Sequence, residues 1–195
     1  SEVVGTDGRL YVANTGSNTV SVINTTTGKR IDANSSWLSQ DISVGAAPSA
    51  LALSPDGTRL YVANSGSGTV SVINTAGYKR IDANPSTSSK DITVGTTPSA
   101  LTVGGDGRLY VANKGSGTVS VVDTTTYGVI DTIAVGSQPM ALAVGTGKVY
   151  VANQGSNTVS VIDTATLAVT SVGVGAQPTA LAVGAGNTLY VANQG

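Results

Sequence analysis

The tetrapeptide Tyr-Val-Ala-Asn recurs at 11–14, 61–64, 110–113, 150–153 and 190–193, at spacings of 50, 49, 40 and 40 residues. Self-similarity at such a period is the signature of a repeat architecture, in which one unit cannot bury its apolar surface alone and must stack on its neighbours. The fold question therefore reduces to the structure of one repeat.

In the clearest repeat, Pro48-Ser49-Ala50-Leu51-Ala52-Leu53 runs into the turn tetrapeptide Ser54-Pro55-Asp56-Gly57. That is an apolar strand closed by a hairpin turn, strand A. Arg59-Leu60-Tyr61-Val62-Ala63-Asn64 forms strand B, Ser65-Gly66-Ser67-Gly68 a short loop, and Thr69-Val70-Ser71-Val72-Ile73-Asn74 strand C. After a second loop, Asp91-Ile92-Thr93-Val94-Gly95 closes the unit as strand D. No segment carries a 3.6-residue apolar period over ten residues, so a helical solenoid is excluded. Strands A to C are apolar on both faces, as blades covered on both sides require. Four antiparallel strands in about 40 residues, punctuated by Gly or Pro, predict an all-β propeller. The register gives blades at 1–45, 46–95, 96–136 and 137–175 and a two-strand half blade at 176–195, within one repeat domain.

Composition narrows the function. Ten basic against eleven acidic side chains leave a net charge of −1, which gives no footprint for nucleic acid or an anionic membrane. The chain has no Cys and no His, so thiol chemistry, disulfides and the commonest base and metal ligand are missing. No run reads as a membrane span or a signal peptide. Ser1 opens in the middle of a repeat, and that phase predicts a chain cut from something longer or processed.

The pattern Leu-Tyr-Val-Ala-Asn-x-Gly-Ser-Asn/Gly-Thr-Val-Ser-Val-Ile-Asp/Asn-Thr, followed by Ile-x-Val-Gly-x-x-Pro-x-Ala-Leu-x-Val, resembles the YVTN-type β-propeller repeat, with Ala in place of Thr. The resemblance covers essentially the whole chain. It implies a bacterial or archaeal protein of the cell envelope or the extracellular space, whose propeller binds partners or builds a surface layer. Relatives with this blade also include lactone hydrolases and redox subunits, and they usually close about seven blades. Four and a half blades would leave apolar faces to cover, so a protein partner, a homo-oligomer or the remainder of a longer chain is expected.

Three groups of residues stand out as candidates. Blades 1 and 2 carry related long C–D connections, Lys29 to Gln40 and Lys79 to Lys90, in which Arg30, Trp37 and Arg80 have the composition of a binding hot spot. The plainer reading is a surface loop tucking its Trp over the blade edge. Arg9, Arg59, Arg108 and Lys148 form a cationic column beside the A–B turns; they could meet an anionic ligand, or pair locally with Asp7, Asp56 and Asp106. Asn14, Asn64, Asn113, Asn153 and Asn193 end strand B in every repeat, which points to structure, through hydrogen bonds to the B–C loop backbone. Asp32, Asp82 and Asp131 read as a column at the start of strand D, but no carboxylates converge into an acid–base pair and no dense Asp-Gly loop suggests calcium. The sequence therefore predicts a non-enzymatic propeller scaffold for protein or surface interaction, with no catalytic residue, cofactor or metal. The alternative is part of a propeller hydrolase, lactonase or redox subunit whose catalytic residues lie outside this chain.

Overall fold

The computed structural model describes residues 1–33, 41–83 and 90–195. Its strands form antiparallel sheets arranged as propeller blades, in two compact units, Ser1–Thr93 and Val94–Gly195. In the first unit one sheet holds β1 (Glu2–Val4), β2 (Arg9–Asn14), β3 (Thr19–Asn24), β4 (Arg30–Ile31) and β5 (Ile42–Ser43). The second holds β6 (Pro48–Leu53), β7 (Arg59–Asn64), β8 (Thr69–Asn74), β9 (Lys79–Ile81) and β10 (Ile92–Thr93). In the second unit β11 (Pro98–Val103), β12 (Arg108–Asn113), β13 (Thr118–Asp123) and β14 (Val129–Ala134) make one four-stranded sheet. A second comprises β15 (Pro139–Gly145), β16 (Lys148–Asn153), β17 (Thr158–Asp163) and β18 (Val169–Gly173), and β19 (Pro178–Val183) pairs with β20 (Leu189–Asn193) alone.

Strand B meets strand C in one register throughout: Tyr11 lies opposite Val22, and Tyr61, Tyr110 and Tyr150 opposite Val72, Val121 and Val161. A one-residue slip would reverse every side chain, so the identical apolar pattern fixes the pairing. Because strands B and C are apolar on both faces, blades can pack on either side of them. Within the first unit, Tyr11, Val20, Val22 and Ile42 of one sheet meet Leu60, Val62 and Ile73 of the next. Within the second, Tyr110, Val119, Val121 and Ile133 meet Val149, Val151 and Ile162. Each of these aliphatic side chains contributes roughly 1.5–3 kcal/mol when fully buried.

Strand D departs from the sequence reading. The long inserts were expected in the C–D connection, but they interrupt strand D itself. Ile31 pairs with Val22 and Ile42 pairs with Val20, so the ladder breaks opposite Ser21, the position whose counterpart Ser120 faces Thr132 in the third blade. The second blade repeats this, with Ile81 opposite Val72 and Ile92 opposite Val70. Asp131 therefore aligns with Ile31, which removes it from the expected column with Asp32 and Asp82.

Each insert is closed at its neck by an ion pair, Arg30 with Asp41 and Arg80 with Asp91, the latter at 2.6 Å. In the second blade the Ala83 amide also donates to the Lys90 carbonyl at 2.9 Å. Arg30 and Arg80 thus sit on strand edges as clasps. Trp37 lies outside the described residues.

Candidate functional site

The repeated polar columns are engaged internally, the Asn column within its own blades. The Asn14 side-chain amide donates to Thr19 Oγ1 at 3.1 Å and Ser21 Oγ at 2.8 Å, and Asn64, Asn113 and Asn153 repeat the arrangement. These partners are hydroxyls of strand C, which replace the loop backbone expected from the sequence. The glycine of each Val-Gly-x-x-Pro segment lies on this amide: a Cβ on Gly45 would stand 2.6 Å from Asn64 Nδ2. Asn193 has no strand C beside it and is exposed.

The cationic column is also held locally. Arg9 meets Asp7 at 2.7 Å, Arg108 reaches Asp106 at 3.6 Å and donates to the Thr164 carbonyl at 2.9 Å, and Arg59 donates to the Thr58 carbonyl at 3.1 Å. Lys148 differs, pairing at 2.7 Å with Asp163 at the end of strand C. That hydrogen bond, joined by those from the Thr166 backbone and hydroxyl, holds the Asp163 carboxyl well below the usual range. Asp123 accepts from the Thr125 and Thr126 amides, and Asn24 and Asn74 do the same in their blades, so the column at the end of strand C caps the C–D turn. The Tyr11 and Tyr110 hydroxyls donate to Asp7 at 3.2 Å and to Asp106 at 2.8 Å. Burial, aided by the bond to Asp106, pushes the Tyr110 phenol up to about 12.

Against that background one cluster breaks the repeat. In the second unit, Gln138, Gln154, Gly155, Asn157, Ala176 and Gln177 line a cavity of about 390 Å³. The B–C loop supplies Gln154 to Asn157, and the D–A connections supply Gln138 and Gln177. Its backbone is fixed: Gln154 N donates to Gln138 O and Gly155 N to Ser137 O, both at 3.0 Å, and Gln177 N donates to Asn157 Oδ1 at 2.8 Å. Gln138 and Gln177 both take a left-handed backbone, φ 52°, at the position that Ala47 and Thr97 fill in other repeats. Gly155 lies close to that connection: a Cβ there would stand 2.6 Å from Ser137 Oγ and 3.2 Å from the Ser137 carbonyl oxygen.

The side-chain amides of Gln138, Gln154 and Gln177 make no hydrogen bond among the described residues, so each presents a donor and an acceptor. The cavity has no titratable side chain in its lining. It can bind through hydrogen bonds, but its own side chains cannot exchange protons with a substrate. The sequence reading missed it because Gln is uncharged and the loops looked like turn filler. The available signal was the position after the strand B Asn, which reads Thr15, Ser65, Lys114, Gln154 and Gln194 in a chain that otherwise repeats closely.

Among the described residues no group of three or more His, Cys, Asp or Glu side chains could hold a metal ion, and no helix is long and apolar enough to cross a membrane. The family model described as SMP-30/Gluconolactonase/LRE-like region matches residues 2–146. No curated protein sequence matches the chain. Among solved structures, hydrazine synthase of Kuenenia stuttgartiensis is similar at TM-score 0.71 and 26% identity, over 89% of this chain and 48% of that one. Virginiamycin B lyase from Staphylococcus aureus is similar at TM-score 0.76 and 17% identity, over 97% of this chain and 61% of that one. The dihydro-heme d1 dehydrogenase NirN is similar at TM-score 0.75 and 14% identity, over 98% and 41%. This chain thus spans about half to three-fifths of the length of the first two of these structures.

Proposed function

The chain belongs to the SMP-30/gluconolactonase/LRE-like propeller family, and from that premise we propose that it acts as a non-enzymatic scaffold for protein or cell-surface interaction. The observation that carries this reading is the cavity of free carboxamides, which suits an uncharged chain rich in hydroxyl or amide groups. The YVTN-like repeat supports an envelope or extracellular setting. Exposed apolar positions support self-association: Val4 and Tyr190 are each 63% exposed, whereas Tyr110, at the same repeat position as Tyr190, is fully buried.

The test is calorimetric titration with chitohexaose and maltohexaose. Binding of either glycan, weakened about fivefold or more when Gln154 and Gln177 are both replaced by Ala, supports the reading, since two lost hydrogen bonds at about 0.5–1.5 kcal/mol each amount to about 1–3 kcal/mol. Binding of neither, or no effect of the substitutions, refutes it. Light scattering of the 19.2 kDa chain across a concentration series tests self-association, with a strictly monomeric mass as the refuting result.

The family match favours a second reading, a hydrolase or lactonase part. Hydrolysis of an aldonolactone by this chain, with divalent cations added, would establish it in place of the scaffold.

A further inference from the structure

A second cavity, in the first unit, is independent of the carboxamide site. It measures about 330 Å³, within the roughly 300–1,000 Å³ usual for small-ligand sites. Ile42 and Ser43 of β5 form one wall, and Tyr78, Lys79, Arg80 and Lys90 of the second blade form the other.

Its charge is unbalanced. Arg80 is held by Asp91, which is only 4% exposed, and that pair closes the insert neck. Lys79 and Lys90 form no ion pair among the described residues, and Asp82, in the same neck, does not line the cavity. Lys79, Lys90 and Ser43 therefore line a space whose remaining walls are apolar or aromatic, beside an Arg80 that is engaged by Asp91.

Two of these residues are departures from the repeat. The first blade has Gly28 where the second has Tyr78, and Gln40 where the second has Lys90. Gly28 has φ 66° and Tyr78 φ 52°, a left-handed backbone that a bulky side chain seldom adopts. Tyr78 is held there because it packs against the core of its unit and because the Arg9 guanidinium lies 5.3 Å from its ring centroid. The ring is therefore a fixed wall.

We propose that this cavity binds an anionic sugar residue, a uronate or a sulfated pyranose, with its acid group at Lys79 and Lys90 and its ring against Ile42 and Tyr78. An ammonium attracts either acid group as a point charge, and the apolar walls suit the CH face of a pyranose. The volume admits a unit of monosaccharide size, which sets this site apart from an extended basic patch.

The experiment is calorimetric titration of the whole chain at low and at physiological salt with trigalacturonate, a sulfated galactotriose and neutral galactotriose. One or both anionic probes should bind at least tenfold more tightly than the neutral one, and the one preferred identifies the acid group. The double substitution Lys79→Gln with Lys90→Gln should abolish that preference, Tyr78→Gly should weaken binding severalfold, and Lys29→Gln at the first neck should leave it unchanged. Thermal melts of each variant confirm folding; the two lysines are exposed, and their replacement leaves the Arg80–Asp91 clasp in place. Equal binding of neutral and anionic sugars overturns the proposal. So does an effect of Lys29→Gln as large as that of the double substitution, since attraction would then follow net charge alone.

Discussion

Replacing Gly45 with Ala tests whether the glycine of Val-Gly-x-x-Pro is dictated by the amide beneath it. Its backbone is not in the left-handed region, so an added methyl group acts by contact alone. That Cβ would lie 2.6 Å from Asn64 Nδ2, 2.7 Å from Asn64 Cγ and 2.7 Å from Ser67 Oγ, well inside an ordinary 3.4 Å contact. Asn64 is fully buried and cannot swing into solvent. Either the methyl overpacks the site, at about 1–3 kcal/mol, or the amide moves and gives up its bonds to Thr69 and Ser71, at about 1 kcal/mol each. The expected loss is about 2–3 kcal/mol, a fall in Tm of roughly 4–12 °C for a chain of this size. Urea unfolding of Gly45→Ala, Asn64→Ala and the double variant separates the causes. Removing the amide first should cut the cost of the glycine change to below about 1 kcal/mol, a coupling of about 1–2 kcal/mol. Strict additivity within about 0.5 kcal/mol would refute the reasoning.

Other consequences follow from the same geometry. Tyr110→Ala should cost about 3–5 kcal/mol in urea unfolding, whereas Tyr190→Ala should change stability by no more than about 0.5 kcal/mol, because the first side chain is fully buried and the second largely exposed. The Tyr110 phenol is raised to about 12 in the folded chain, against about 10 when unfolded, so its contribution is complete below about pH 10 and disappears as pH rises towards 12. Tyr110→Phe should therefore flatten part of the fall in Tm between pH 9 and 12, and an unchanged slope would contradict the assignment. Asp163 is shifted the other way, chiefly by Lys148, so its contribution is present above about pH 4 and is lost as pH falls below that. Lys148→Met should make Tm less dependent on pH between 5 and 2.

The sequence made strands A to C legible because three signals agreed at each boundary. Pro48 opens strand A, Asp56-Gly57 turns it, Asn64 ends strand B and Asn74 ends strand C; the observed strands Pro48–Leu53, Arg59–Asn64 and Thr69–Asn74 have those limits. Strand D was not legible in the first two blades. Lys29-Arg30-Ile31 is charged and only two of its residues enter a ladder, so it read as loop, and its partner in β3 is found only in three dimensions. The Asn column was recognisable as structural from its repetition. Its partners were not, because a side chain at the end of strand B can turn towards loop backbone or towards strand C, and the choice falls to Thr19 and Ser21 through packing.

Repetition and its failure therefore carry different information in this chain. A side chain kept from blade to blade answers a demand that the blades share: Tyr110 fills the space between two sheets, Asn113 ties strand B to strand C, and Asp123, like Asn24 and Asn74 at its position, caps a turn. The amide donors of the Asn column are taken up by strand C, although the Asn64, Asn113 and Asn153 Oδ1 atoms stay buried without a partner. A residue that changes from blade to blade at a fixed backbone position is released from that demand, and its side chain is available for other contacts. Gly28, Tyr78, Tyr127 and Leu167 share one left-handed backbone position, so conformation alone would select glycine at each. Leu167 is repaid by packing on the core of its own unit and Tyr78 by its packing and by Arg9. Gln138 and Gln177 hold the same kind of strained position without any side-chain hydrogen bond among the described residues, and both line the one cavity of free carboxamides. Ala47 and Thr97 hold that backbone position in the other repeats, and the Ala47 and Gln177 amides both donate to an Asn side chain, so the turn is a demand of the blade, and the two Gln side chains are what distinguishes the cavity.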